Sequence, residues 1–477
     1  MSTRTVAIIG AGMGGLAAGA YGQLAGLETT IFEMHDKPGG LCTAWTRKGY
    51  TFDGCIHHLA GCRPETPTYR IWEALGTMPR EVLYPADLTQ VETPDGEVLT
   101  VHTDLDRLEA HLLGLAPADS RLIRRYIRAL RAFTRFDLFD AMTGSWSDWA
   151  RLLLRAPTAM RWGRLTMRTF AERFRDPLLR QAMATIQYDW PDTPVFLHLN
   201  ILAGSSVGRY GFPAGGSLRF AQAIADRYLS LGGEIRYRTK VETIVVEKGR
   251  AIGVRLADGT EHRADAVISN VTPYATLHRL LGGSYLDDKL RASFARPQDE
   301  MVMGIHVSLG LARDLASEPH AMVLWLPEPI QLAERVRDRL DLELFGFDPS
   351  LAPPGKGVLK VLLDTTWSHW AELGRDRERY RAEKERLVET ILRLLEPRFP
   401  GIAGQVDVWD VATPLTTERY TAVGPGFASS PQWGAMMFAR PLTVPGVQGL
   451  QIVGQSAGGA GIPGCAVMGR NAVRAVG

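Results

Sequence analysis

Val6-Ala7-Ile8-Ile9-Gly10-Ala11-Gly12-Met13-Gly14-Gly15-Leu16, followed by Glu28-Thr29-Thr30-Ile31-Phe32-Glu33, is the stretch that decides the fold. Four apolar residues make a short buried strand and the glycine run breaks it. The small-residue segment Leu16 to Leu24 reads as a helix that returns the chain to a second strand, Glu28 to Phe32. A lone glycine triplet means little, but strand, turn, helix, strand and terminal acid occur here in the order a dinucleotide-binding unit needs. Gly10 permits the tight turn, Gly12 lets backbone approach a pyrophosphate, and Gly15 lets helix and strand pack closely. The phosphates then meet a helix N-terminus, whose unpaired N–H groups and dipole favour negative charge. Glu33, 23 residues after Gly10, is placed to accept hydrogen bonds from ribose hydroxyls and disfavours a 2′-phosphate.

Just beyond, Lys37-Pro38-Gly39-Gly40-Leu41-Cys42-Thr43 places a second glycine pair past the ribose acid. A second close backbone approach, on the flavin side of the pyrophosphate, is of no use to a simple NAD dehydrogenase, so the position of the pair points to FAD. The far end of the chain supplies the matching half. Gly449 to Val453 reads as a buried strand ended by Gly454, and Gly458-Gly459-Ala460-Gly461-Ile462-Pro463-Gly464 leads into a helix over Cys465 to Val473. Glycines let this backbone pass beneath a flat ring, and the helix N-terminus puts positive potential where negative charge collects on flavin reduction. Between the two ends, a helix from Phe220 to Leu231 and strands at Glu234 to Tyr237, Val241 to Glu247, Val254 to Leu256 and Ala266 to Ser269 return the chain to the same region. No second GxGxxG between strand and helix occurs from Glu65 to Gln448, so a separate NADPH domain is not expected.

Three further segments look familiar: Gly40-Leu41-Cys42-Thr43-Ala44-Trp45 through Tyr50-Thr51-Phe52-Asp53-Gly54, Tyr210-Gly211-Phe212-Pro213-Ala214-Gly215-Gly216-Ser217, and Ala264-Asp265-Ala266-Val267-Ile268-Ser269-Asn270. Together with the C-terminal glycine loop they resemble bacterial phytoene desaturases, plant-type carotenoid isomerases and retinol saturases. Those proteins share the glutathione-reductase-like FAD fold also used by flavin amine oxidases. Leu41 stands where many desaturases and amine oxidases have arginine, which is closer to the isomerase and saturase branches. The fold implied is α/β with an α+β second domain: a discontinuous Rossmann-like FAD-binding domain (1–70, 205–275 and 415–477) and a mixed sheet-plus-helix substrate domain (71–204 and 276–414). The resemblance implies cofactor contacts at Gly10, Gly12, Met13, Gly14, Gly15, Glu33, Gly39, Gly40 and Leu41. Further contacts are implied at Val241, whose backbone would meet adenine, and at Gly454, Gly461 and Ile462. It also implies that Phe52 to Gly61, a partly alternating stretch, runs past the reactive face of the flavin. His57 and His58 are therefore the candidate catalytic residues, pointing to opposite sides if the stretch is a strand.

Composition narrows the setting. A formal net charge of +2 over 477 residues gives no global field for nucleic acid. Locally, Arg121 to Arg180 holds fourteen arginines against five acids, and 121–185 reads as a basic helical subregion carrying Trp146, Trp149 and Trp162. Such a surface is suited to peripheral contact with an anionic membrane. Cys42, Cys55, Cys62 and Cys465 form no CxxC pair or metal spacing, so free thiols in a reducing compartment are expected. Neither a signal peptide nor a spanning helix is legible, which points to a cytoplasmic protein, peripheral at most on the inner face of the membrane. Oligomeric state leaves no trace in the sequence.

Flavin chemistry needs no nucleophile triad or metal, and no HExxH or GxSxG competes. The leading expectation is an FAD-dependent oxidoreductase acting on carbon–carbon bonds of a hydrophobic polyene, isoprenoid or carotenoid-like substrate, by desaturation, saturation or cis-trans isomerisation. The alternating strands Met303 to Leu311 and Val358 to Leu363, with a charged helix from Asp376 to Leu395, suit one wall of a long apolar pocket. Two alternatives stand beside it. Flavin amine oxidation predicts an aromatic cage flanking the ring, and a non-catalytic FAD-binding carrier of apolar molecules predicts a flavin that stays oxidised with every donor.

Overall fold

The computed structural model describes residues 3–79, 81–135, 137–143, 161–186, 192–286, 302–424 and 439–477. Its first strand, β1 (Thr5–Ile9), lies in the middle of a nine-stranded sheet. β2 (Glu28–Phe32) pairs with it in parallel on one side, and Ala266–Ser269 pairs in parallel on the other. Glu234–Arg236 extends the sheet beyond β2, and Val447–Ile452 extends it beyond Ala266–Ser269. The sheet thus gathers strands from three separated stretches of chain. Ile8, Ile31 and Ile268 are fully buried in it, each worth about 2 kcal/mol of apolar burial.

Helix α1 (Met13–Leu24) connects β1 to β2 and presents Gly14, Ala17 and Ala18 where another helix crosses it at close range. At Gly469 of Gly461–Val476, a Cβ would stand 2.3 Å from the Gly14 carbonyl oxygen. Larger side chains at that crossing would push the C-terminal helix away from the nucleotide sheet.

A second, seven-stranded sheet runs in the order Val406–Ala412, Val302–Leu311, Gly357–Thr366, Arg335–Leu344, Ala321–Leu332, Asp87–Glu92, Val98–His102. One face is apolar. Ile305, Val307, Leu309, Leu359, Val361 and Leu363 pack there against Trp370, Leu387 and Ile391. The opposite face departs from the apolar wall expected of these strands. Ser308, Lys360 and Glu343 lie side by side across three strands, and His306, Leu362 and Asp341 form the next row. Lys360 is 1% exposed and Glu343 9%, so this is an inward polar face and not a solvated one. A separate apolar cluster of helices, including Ser120–Phe133, Pro177–Thr185 and Val195–Ser206, caps the edge formed by Asp87–His102.

Candidate functional site

The carboxyl ends of four adjacent parallel strands open into one cleft of about 430 Å³. Gly10 to Gly14 follow β1, Glu33 and Met34 follow β2, Asn270 to Thr272 follow Ala266–Ser269, and Val453 to Ser456 follow Val447–Ile452. This is where the neighbours of β1 diverge, the usual place for a ligand in an open parallel sheet. Gly10 adopts φ 92°, a left-handed conformation, and its N–H donates to the Phe32 carbonyl at 2.8 Å. No side chain caps α1, so its first-turn N–H groups are available to a ligand. The Gly39 N–H donates to the Ala11 carbonyl at 2.9 Å and Gly39 bridges Gly12, which folds the second glycine pair directly onto the first. Glu33 Oε2 accepts the Ala11 N–H at 2.6 Å and Oε1 accepts the His35 N–H at 2.8 Å. Burial pushes the Glu33 carboxyl up while those N–H donors pull it down. Lone pairs remain on both oxygens for further donors.

From this cleft, residues 54–58 lead toward the polar face of the second sheet. Cys55 lines the cleft, whereas His57 and His58 line a small cavity beside Tyr84, Tyr210, Phe212 and His320. The extended course expected from Phe52 to Gly61 is broken, because Tyr50–Asp53 ends and pairing resumes only at Leu59–Ala60. Side chains have taken the donors that a ladder would use. Asp53, 1% exposed, accepts the Cys55 N–H at 3.1 Å and the Ser217 hydroxyl at 2.7 Å, and Ser217 Oγ accepts the Ile56 N–H at 2.8 Å. The two imidazoles are therefore aimed by their partners and not by strand alternation. His57 Nδ1 is hydrogen-bonded to Glu343 Oε1. On the other side of that carboxylate, Lys360 Nζ lies 2.5 Å from Glu343 Oε2 and donates to the Asp53 carbonyl at 3.0 Å. Burial pushes Glu343 up, but His57 and Lys360 outweigh it and hold the carboxyl well below its usual range. Burial drives His58 and His306 down to about 3 and His320 to about 4, so all three are neutral at pH 7.

A family model described as flavin containing amine oxidoreductase matches residues 13–477. The chain belongs to that family. As one of these flavoproteins it is an enzyme, an FAD-dependent oxidoreductase. Among its relatives is the chloroplastic prolycopene isomerase of Arabidopsis thaliana, 25% identical over 473 residues, covering 94% of this chain and 78% of the relative. Another is the lycopene-forming phytoene desaturase of Pseudescherichia vulneris, 27% identical over 500 residues and covering 96% of each. An oxidoreductase from Methanosarcina mazei shares the fold, with a TM-score of 0.62 and 20% identity over 98% of both chains.

The residues of this flavoprotein fit FAD. The cleft brings Gly10, Gly12, Met13, Gly14, Glu33, Gly39, Gly40, Leu41, Val241, Gly454, Gly461 and Ile462 together on its walls. Gly15 stands behind them, where a Cβ would lie 2.0 Å from the Gly10 carbonyl oxygen. Asn270 is a wall residue to which sequence reasoning gave no role. A Cβ on Gly12 or on Gly14 would come within 2.6 Å of its side-chain amide. Its signal was its place at the end of a strand that pairs with β1. Lys240 and Arg279 also line the cleft and carry positive charge. Lys360 and Glu343 left no signal, because each sits at a polar position of an alternating strand and only cross-strand pairing shows that they face inward.

The arginine-rich subregion is partly corrected. Ser120–Phe133 turns Arg121, Arg124, Arg128 and Arg131 outward and buries Ile123, Tyr126, Ile127 and Leu130. Trp162 does not stand at the surface as a membrane-interface residue would. It is 4% exposed, packed edge-on to Phe170 at 5.6 Å with Arg125 over its ring. Trp146 and Trp149 lie outside the described residues.

Proposed function

We propose that this enzyme desaturates, saturates or isomerises a carbon–carbon bond of a hydrophobic, polyene-like substrate. The carrying observation is the composition of the cleft at its Gly454–Ile462 end, where Leu41, Cys42, Cys55, Ile462 and Cys465 line the described walls together with Gln455 and Ser456. The aromatic residues on the described walls, Phe32 and Tyr420, stand toward the Glu33 end, with Tyr420 edge-on to His35 at 4.9 Å. A wall of thiols and aliphatic side chains, with Gln455 and Ser456 as its polar members and no aromatic ring among its described residues, favours a polyene over an amine held between aromatic faces. The named activities of the relatives, prolycopene isomerisation and phytoene desaturation, support the same reading.

In this reading Glu33 accepts the ribose hydroxyls and the α1 N-terminus with Gly39, Gly40 and Leu41 holds the pyrophosphate. The Val241 backbone meets adenine, and Gly454, Gly461 and Ile462 underlie the flavin ring. Flavin supplies two-electron hydride exchange with carbon. His57 moves a proton at the carbon undergoing change. Its Nδ1 is hydrogen-bonded to Glu343, which orients the ring. His58, held neutral, orients substrate by hydrogen bonding. Flavin absorbance followed anaerobically while polyenes, amines or reductants are added tests the whole reading. Polyenes are expected to change the flavin spectrum and amines to leave it oxidised, and reduction by amines alone would overturn the proposal. In the same assay His57→Ala is expected to keep its flavin and lose about 10²-fold in turnover. Unchanged turnover removes His57 from the reaction.

No helix among the described residues is long and apolar enough to cross a membrane. We propose a cytoplasmic protein whose outward arginines touch the anionic inner face of the membrane, giving a lipid-soluble substrate a short path. Co-sedimentation with phosphatidylserine-containing vesicles is expected at 20 mM salt and lost at 500 mM, roughly as the Debye length shrinks below the contact distance. Absence of binding at low salt refutes it.

A further inference from the structure

Three cavities lie in series between the histidine pair and the protein surface, and neighbours share a wall residue. The first, of about 30 Å³, is lined by His57, His58, Tyr210 and His320. His58 is also a wall of the second, again of about 30 Å³, together with Thr89, Asp341 and Glu343. Asp341 in turn lines the third, of about 360 Å³, among Arg335, Arg337, Arg339, Asp338 and Asp364. Val336 on that wall is 71% exposed and the Asp338 side chain 49%, so the third cavity is the mouth that faces water. Strand alternation explains the row, since Arg335, Arg337, Arg339, Asp341 and Glu343 all fall on one face of Arg335–Leu344. Each inner cavity has room for about two waters.

Asp341 is the joint of the series. It is 8% exposed, yet its Oδ1 has no hydrogen-bond partner among the described residues, and its Oδ2 pairs only at long range, 3.9 Å from Arg339 Nε. The nearby guanidinium groups reach other carboxylates. Arg335 Nη1 stands 3.0 Å from Asp364, Arg337 Nη1 pairs with that same carboxylate, and Arg339 Nη1 stands 2.9 Å from Asp338. A carboxylate placed to tie the arginines together would be gripped by one of their forks. A buried acceptor without a donor costs about 1–3 kcal/mol, which a bound water relieves.

We infer that these cavities hold a water-bridged proton path between bulk water and the histidine pair, with Asp341 as the carboxylate that passes the proton at its outer end. Taking a hydride and a proton from adjacent carbons leaves the proton on a base inside the protein, and it must reach water before the next turnover. In the saturating direction the same proton comes in. His57 Nδ1 is hydrogen-bonded to Glu343, so a proton leaving His57 passes to that carboxylate. Glu343 and Asp341 are two residues apart on the strand, roughly 6.5–7 Å between Cα atoms, a gap that about one or two waters span. From Asp341 the proton enters the mouth and leaves to bulk water; only N–H and O–H bonds change, and no electron moves. Burial pushes the Asp341 carboxyl up to about 6 against the pull of Arg339 and Arg337, so it takes and gives a proton near neutrality. The other titratable groups around it are Glu343 and Asp338 on its own strand, Lys360 and Asp364 on either side of the opposed Leu362, His306 beyond Leu362, and His58 across the second cavity. The path rests on the reading that the histidine pair handles the reaction's proton, whatever the substrate.

Supplying electrons without protons tests it apart from turnover. FAD-loaded protein is mixed rapidly and anaerobically with reduced methyl viologen, which brings electrons and no proton, in weakly buffered solution holding a pH indicator. Two-electron reduction of the flavin then draws a proton from water. In the wild type the indicator is expected to follow flavin bleaching. In Asp341→Asn proton uptake is expected to lag at least about 10-fold, and Asp341→Glu, which restores a carboxylate, to recover it. Wild-type uptake should also slow from about pH 5 to about pH 8, because protonated Asp341 is the donor, and Asp341→Asn should lose that dependence. Should Asp341→Asn fail to fold, the wild-type profile decides, and uptake independent of pH over that range overturns the path. A lag in Asp341→Asn with none in His57→Gln keeps the path, routes the proton through His58 and removes His57 from the reaction. Uptake in Asp341→Asn as fast as in wild type overturns the path and leaves the reading of the substrate untouched.

Discussion

Glu343→Leu is expected to cost about 3–5 kcal/mol of stability, because it removes the carboxylate paired with the buried Lys360 ammonium. Lys360→Met is expected to cost a similar amount, because it takes the ammonium from a buried carboxylate that His57 also holds. The double variant Glu343→Leu/Lys360→Met should be more stable than either single one, within about 1–2 kcal/mol of wild type, since an apolar pair on adjacent strands needs no compensation. Urea unfolding of all four proteins at pH 7 measures the cycle. A Glu343→Leu loss below about 1 kcal/mol would show that the ammonium finds water, and the inward polar face would then be a solvated one. The pH dependence has a definite sign. The Glu343 carboxyl titrates lower in the folded protein than in the unfolded chain. Its contribution is complete above about pH 4.5 and fades as the pH falls through the folded value. Wild type should lose this part of its stability below about pH 4 and the double variant should not.

Gly15→Val is expected to yield a protein that purifies without flavin, with FAD affinity down at least about 100-fold. The Cβ would lie 2.0 Å from the Gly10 carbonyl oxygen and 3.2 Å from the Gly10 carbonyl carbon, and both atoms are backbone at the mouth of β1. Neither can swing aside as a flexible side chain does. The N-terminal turn of α1 must move from the strand end, and it takes the phosphate-facing N–H groups with it. Gly114→Ala is the matched control. That glycine lies within the helix Leu105–Leu115, and a Cβ there meets nothing within 4 Å. It should keep its flavin and gain up to about 1 kcal/mol from helix propensity. The ratio of flavin to protein absorbance after purification reads both outcomes. Full flavin content in Gly15→Val would disprove the steric account.

Local pattern carried the nucleotide half of the molecule. Val6 to Ile9, Glu28 to Phe32, Val241 to Glu247 and Ala266 to Ser269 were legible as strands because glycine and turn residues bound each apolar run. The C-terminal helix starts at Gly461, earlier than the expected Cys465, since Gly461 and Pro463 are both tolerated in a first helical turn. What local pattern could not carry was anything created by distant pairing. His57 was a sound candidate, but the carboxylate that holds it lies 286 residues away on an interior strand. Lys360 and Glu343 alternate with leucine and valine, and in one sequence such alternation suggests a water-facing side. The bend at residues 54–58 likewise depends on Ser217, which reaches Asp53 from 164 residues further along the chain.

The central place of β1 also sets an order of events during synthesis. β1, α1 and β2 emerge from the ribosome first, yet the next neighbour of β1, Ala266–Ser269, is made about 260 residues later. At roughly 5–20 residues per second that is a wait of about 13–50 s, and Val447–Ile452 takes longer still. Throughout that interval one edge of an apolar, β-prone strand has no native partner, the condition that invites non-native pairing. A chain wired in this way gains a cofactor site closed from both ends, at the cost of a nascent unit that stays unfinished until nearly its last strand has been made.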